Sequence, residues 1–155
     1  ICLCVHEVFH VNLNSKKKRI MHVTAQIEYI GGLRTKARHA LSGNEFITDA
    51  PPDNKGRGEA FSPTDLLATS LGACAVTIMG IAANEHGFNI DGTKMEITKI
   101  MASNPRRVSE IQVVFNFPPN NYSDKEKKII QLSANTCPVF QSLHPDLKKT
   151  YIFNF

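Results

Sequence analysis

Leu66 to Ala83 is a run of eighteen residues without a charged side chain, and it restricts the fold more than any other stretch of the chain. The run just reaches the length at which an apolar helix can span a bilayer. Thr69, Ser70, Gly72, Thr77 and Gly80 dilute its transfer energy, and the sequence on either side reads as globular. A helix apolar on most of its circumference is also what the centre of a protein core requires, so a buried helix is expected and no membrane partner. Its start is written in Ser62-Pro63-Thr64-Asp65: a good N-cap, a proline suited to the first helical position, and a negative charge in the first turn. Gly87 supplies the stop, which predicts a helix from there to about His86.

Strand signals surround this helix. From His22 to Ile30 the residues alternate, with Val23, Ala25, Ile27 and Tyr29 on one face and Thr24, Gln26 and Glu28 on the other. That two-residue period predicts a half-buried strand. Gly31-Gly32 offers a hairpin turn into a second strand over Leu33–Ala40, and Glu45–Thr48 forms a short third strand. Asp49 to Gly58 is a loop by composition, rich in proline and glycine, that is mobile or borders a site. Two strands follow the helix, Thr93–Met101 and Val108–Phe117, the latter with Ile111, Val113, Phe115 and Phe117 on one face. Ser123 and Glu126 make a capping box for a second helix to about Asn135, Pro138 starts a short helical extension, and Tyr151–Phe155 closes the chain as a strand. Hairpins segregated around a helix point to the α+β class, not to a doubly wound parallel sheet.

At 155 residues the chain fits one domain, and a 42% hydrophobic content suffices for a core. The formal charge of +4 raises the question of a nucleic-acid partner, but its distribution argues against one. Lys16, Lys17, Lys18 and Arg19 face only Glu7 in the first twenty residues, while the remainder carries 14 basic and 13 acidic groups. A nearly neutral body without interleaved aromatic and basic residues is not a phosphate-binding face. The first twenty residues are not a signal peptide, because their basic run follows the apolar part and His6, Glu7 and His10 interrupt it. They read as a non-native or disordered leader, with Met21 as the biological start; the intact mass of the naturally expressed protein tests this.

Four cysteines at this length exclude a disulfide scaffold. Cys74 lies mid-helix in Leu71-Gly72-Ala73-Cys74-Ala75, where a free cysteine commonly packs as a small hydrophobe. It is about three turns into the helix, beyond the useful reach of the N-terminal dipole, so its activation calls for a nearby cation. Cys137 precedes Pro138 and can cap a helix whose free N–H groups favour a thiolate, or be merely a capping residue in a kink. Cys2 and Cys4 with His6 and His10 mimic a metal cluster but lack zinc spacing, and His39, His86 and His144 are dispersed, so no metal is expected. Arg34, Lys36 and Arg38 alternate as a solvated strand face does.

Two motifs, Ser62-Pro-Thr-Asp-Leu-Leu-Ala-Thr-Ser-Leu-Gly-Ala-Cys74 and Asn135-Thr-Cys137-Pro-Val139, occur together with Gly31-Gly32, Arg34 and Asp49-Ala-Pro51. In this combination the chain resembles the OsmC/Ohr family, the osmotically inducible protein C and organic hydroperoxide resistance proteins, from about Met21 to Phe155. The 63-residue separation of Cys74 and Cys137 fits that family as well. The resemblance implies a single domain over 21–155, with antiparallel sheets around a long buried central helix in an intertwined homodimer. It implies a cofactor-free, cytoplasmic thiol peroxidase that reduces organic hydroperoxides in oxidative stress defence. In that role Cys74 attacks the peroxide and becomes a sulfenic acid, Cys137 condenses with it to a disulfide, and an external dithiol, a lipoyl protein or small thiol, reduces the bond. Arg34 is the arginine that steadies the thiolate.

One position departs from the peroxidase pattern. The hydroperoxide-resistance branch has a glutamate directly after the proline, paired with the arginine, whereas here Thr64 occupies that place and Asp65 follows it. One helical residue rotates a side chain by about 100°, so Asp65 is no simple replacement. The chain is thus more similar to the OsmC-like branch. A second reading stays open: a non-catalytic protein that holds an apolar small molecule, with passive or redox-sensing thiols. The reactivity of Cys74 separates the two.

Overall fold

The computed structural model describes residues 23–155. The expected leader over 1–20, with its four candidate metal ligands, and the expected start at Met21 lie outside the described residues.

The central helix α1 spans Pro63–His86. Ser62 caps it: the Asp65 N–H donates to Ser62 Oγ at 3.1 Å and the Ser62 N–H donates back to Asp65 Oδ2 at 2.8 Å. At the other end Gly87 adopts a left-handed conformation (φ 76°), which a glycine enters without strain. Within one chain α1 buries a single stripe, Ala68, Leu71, Gly72, Ala75, Met79 and Ala83, while Leu67 and Ile81 remain exposed. The helix is long and apolar enough to cross a membrane by length and composition, yet that stripe packs in the protein core.

The core lies between α1 and a three-stranded sheet of β4 (Lys94–Ser103), β5 (Arg106–Asn116) and β6 (Lys148–Asn154), in the order β4-β5-β6. The expected inward face of β5 is correct: Ile111, Val113, Phe115 and Phe117 are all buried. β4 and β5 are antiparallel, as hairpin neighbours must be, but β6 runs parallel to β5, so this sheet is mixed. The reversal has a topological cause. The helix α2 (Asp124–Ala134) and the short α3 (Pro138–Ser142) intervene between β5 and β6 and form the crossover that parallel pairing needs. Gly72 lets the sheet approach α1 closely, since a Cβ there would lie 2.8 Å from Ile97 Cδ1.

The second sheet, β1 (Ala25–Gly31), β2 (Arg34–His39) and β3 (Glu45–Asp49), is an antiparallel meander. Register aligns Ile27, Ala37 and Phe46 on one face, and Glu28, Lys36 and Ile47 on the other. The alternation read from the sequence is present, but the half-burial expected of β1 is not: Ile27 is 70% and Tyr29 64% exposed. The period reports which face is apolar, not what covers it, and among the described residues nothing covers Ile27 and Tyr29 on this one. The loop after β3 is not loose. A 3-10 turn at Pro52–Asn54 is closed by bonds from the Asn54 and Gly56 N–H groups to the Pro51 carbonyl at 2.8 and 3.1 Å.

Candidate active site

Cys74 and Cys137 come together from different elements. Cys74 projects from the middle of α1 and is half-buried; Cys137 is fully buried at the N-cap of α3. Both are free thiols, and the Cys137 thiol sits beside that of Cys74. The Cys137 sulfur accepts a hydrogen bond from the Phe140 N–H at 3.3 Å, as the capping expectation required. The thiolate expected of a helix start does not follow. Burial pushes the Cys137 thiol up, and proximity to Cys74 pushes it further, against the lowering effect of the Phe140 and Val139 N–H groups. α3 has only five residues, so its dipole is small.

Tyr151 completes the surroundings of the pair. It lies on β6 opposite Val113, and its ring packs edge-on against Phe115 at 5.5 Å and beside Phe140 at 5.9 Å. Its hydroxyl is sealed from solvent beside the Cys137 thiol, with Cys74 near it, and meets no well-formed hydrogen-bond partner.

Arg34 is placed elsewhere within the chain. It is not the solvated residue its alternation with Lys36 and Arg38 suggested: it donates to Asp49 Oδ2 at 3.2 Å and to the Glu59 carboxylate. These two bonds raise its already high pKa. Asp49 is fully buried, and the Glu59 N–H donates to its Oδ2 at 3.0 Å. That backbone bond, aided by Arg34 and opposed by burial, holds the Asp49 carboxyl below the ordinary carboxylate range. Within one chain the structure therefore joins the two cysteines and ties Arg34 to two carboxylates instead of a thiol.

The departure at Thr64 also has a partner. Lys99 on β4 donates to Thr64 Oγ1 at 2.8 Å and pairs with Asp65 Oδ1 at 2.7 Å. Burial raises the Asp65 carboxyl, but Lys99 and Ser62 outweigh it and the net shift is downward. The carboxylate on Arg34 thus comes from Glu59 in the preceding loop, and the position after Pro63 answers to a lysine. Sequence reading missed Asp49, Glu59 and Lys99 because their partners lie 15, 25 and 35 positions away, without a local spacing signal. Tyr151 had one: it shares a strand face with Phe153 and Phe155.

Two clefts lie along α1, and neither is lined by Cys74, Cys137 or Tyr151. One of about 620 Å³ is lined by Glu59, Phe61, Asp65, Thr69, Ile97 and Lys99. The other, about 590 Å³, has apolar walls from Leu67, Val108, Leu143 and Leu147, with Arg107 and His144 at it. Leu67 is seven residues before Cys74, two helical turns away on the same face. Among the described residues no three His, Cys, Asp or Glu side chains cluster as a metal ion would need.

The family model for OsmC-like protein matches residues 56–151, which include both cysteines and Tyr151. Among solved structures, a Psychrobacter arcticus protein named for a suspected role in osmotic stress and detoxification response is 51% identical. It aligns with 86% of this chain and 97% of its own, with a TM-score of 0.83. An organic hydroperoxide resistance protein OsmC from Legionella pneumophila shares the fold at 16% identity and a TM-score of 0.67, covering 89% of this chain and 100% of its own. The organic hydroperoxide resistance protein OhrB of Bacillus subtilis does so at 15% identity and 0.62, covering 85% and 98%. Among curated proteins none matches. The cysteine-bearing helix, the flanking sheets and the matched residues together make this chain a member of the OsmC-like family.

Proposed function

We propose that the protein is a cytoplasmic thiol peroxidase that reduces organic hydroperoxides. The observation that carries this reading is the pairing of two free thiols, from α1 and α3, in one half-buried site. The thiolate of Cys74 attacks the terminal peroxide oxygen, the O–O bond breaks, and an alcohol leaves as Cys74 becomes a sulfenic acid. Cys137 then displaces that oxygen as water and forms the disulfide, and an external dithiol returns both thiols. An apolar cleft at Leu67, two helical turns from Cys74 along α1, supports an organic over an inorganic peroxide as the substrate. The chemistry calls for no cofactor.

The working unit is a homodimer in this account. Ile27, Tyr29 and Phe46 of the β1-β2-β3 sheet, exposed among the described residues, support it, as does the exposed remainder of α1. Arg34 reaches the thiolate across such an interface or after release from its carboxylates.

Turnover of cumene hydroperoxide with a dithiol tests the proposal. Wild type is expected to consume peroxide catalytically, Cys74→Ser to fall to the uncatalysed background, and Cys137→Ser to stop at a trapped sulfenic acid. An unaffected Cys74→Ser variant overturns the assignment. A second reading, a non-catalytic binder of an apolar molecule, is favoured by one observation: within a chain neither thiol has a cationic partner among the described residues. Under that reading wild type itself fails to turn over.

A further inference from the structure

Among the described residues, Tyr151 carries a buried hydroxyl near the thiols that packing does not explain. Its ring is held by Phe115, Phe140 and Phe153, and the alternate positions 153 and 155 are phenylalanines, so phenylalanine would fill the same space. A sealed hydroxyl without a partner is a net cost to the fold. Lys149, on the same strand, turns its ammonium over the Phe140 ring at 5.0 Å and toward the His144 carbonyl at 3.4 Å. The titratable groups facing Cys137 are Cys74 from α1 and Tyr151 from β6, with no charged side chain among those described. A neutral thiol is a weak hydrogen-bond partner for a phenol, whereas a thiolate is a strong one. In the reduced, neutral site the sealed hydroxyl has only this weak partner beside it.

We propose that Tyr151 donates its hydroxyl hydrogen bond to the Cys137 thiolate and thereby promotes resolution of the Cys74 sulfenic acid. The inference rests on the two-cysteine reading. In this step a sulfur electron pair of Cys137 forms the S–S bond as the S–O bond of Cys74 breaks. The departing hydroxide takes the proton that Cys137 released, and leaves as water. The hydroperoxide that oxidised Cys74 is the oxidant, and Tyr151 keeps its proton throughout.

The test compares reduced wild type with Tyr151→Phe after one equivalent of cumene hydroperoxide. Dimedone trapping reports sulfenic acid, and mass spectrometry reports the Cys74–Cys137 bond. The ratio of disulfide closure to sulfenic acid formation is expected to fall about tenfold in Tyr151→Phe, the usual weight of a hydrogen bond to a charged group. The pH profile of closure should move upward, and thermal stability should hold or rise. An unchanged ratio with an unchanged pH profile overturns the proposal. So does an equal thiolate titration of Cys137, followed by ultraviolet absorbance, in Cys74→Ser and Cys74→Ser/Tyr151→Phe. Absence of any Cys74–Cys137 bond in wild type overturns the underlying reading and this one with it; the wild-type control keeps the two failures apart.

Discussion

Arg34 and Asp49 face each other in register across β2 and β3, and their side chains close the pair at 3.2 Å while the Glu59 backbone binds the same carboxylate oxygen. The sheet edge and the loop that leads into α1 are thereby fastened to one buried carboxylate. Because its folded pKa is lowered, Asp49 stabilises the fold fully above the unfolded carboxylate value of about 3.9, and this contribution is lost as pH falls through the lower folded value. Asp49→Asn is therefore expected to be less stable than wild type at neutral pH, with the gap closing on acidification. Urea unfolding across that pH range checks it; a gap that is constant with pH contradicts it.

Gly56 is the tightest point of the same loop. A Cβ there would lie 1.7 Å from the Ala50 carbonyl oxygen, a backbone atom that cannot step aside. Gly56→Ala should cost about 1–3 kcal/mol, the range for forced overpacking, and should loosen Glu59 from Arg34. Thermal melts measure the first effect, and the Arg34 Nη resonances in NMR spectra the second. A neutral substitution would show that the loop rearranges freely.

The apolar face of the first sheet yields a prediction about assembly. Ile27 and Phe46 are exposed on the register row they share with Ala37. Wild type should sediment at twice the 17.2 kDa chain mass, and Ile27→Asp should shift it toward the single-chain mass. A wild-type monomer at micromolar concentration contradicts the dimeric account.

Features set by local chemistry were legible in the sequence. The ends of α1 follow from Ser62, Pro63, Asp65 and Gly87, the start of α2 from the Ser123–Glu126 box, and the inward face of β5 from its two-residue period. Non-local features were not. Parallel pairing of β6 depends on where α2 and α3 deliver the chain, and exposure of Ile27 and Tyr29 depends on what lies over them. The site divides in the same way. Motif resemblance named Cys74 and Cys137, and folding brings them together. Arg34 was named too, but its carboxylates come from Asp49 and Glu59, which no spacing rule links to it. A capping motif could place Cys137 at a helix start but could not register its complete burial, which reverses the expected push on its thiol.

In the proposed mechanism Cys74 and Cys137 act as one redox pair. Reduced protein should be treated with one equivalent of cumene hydroperoxide, alkylated and mapped by mass spectrometry. A Cys74–Cys137 disulfide is expected to form rapidly. Free thiols at both positions after exposure would contradict it.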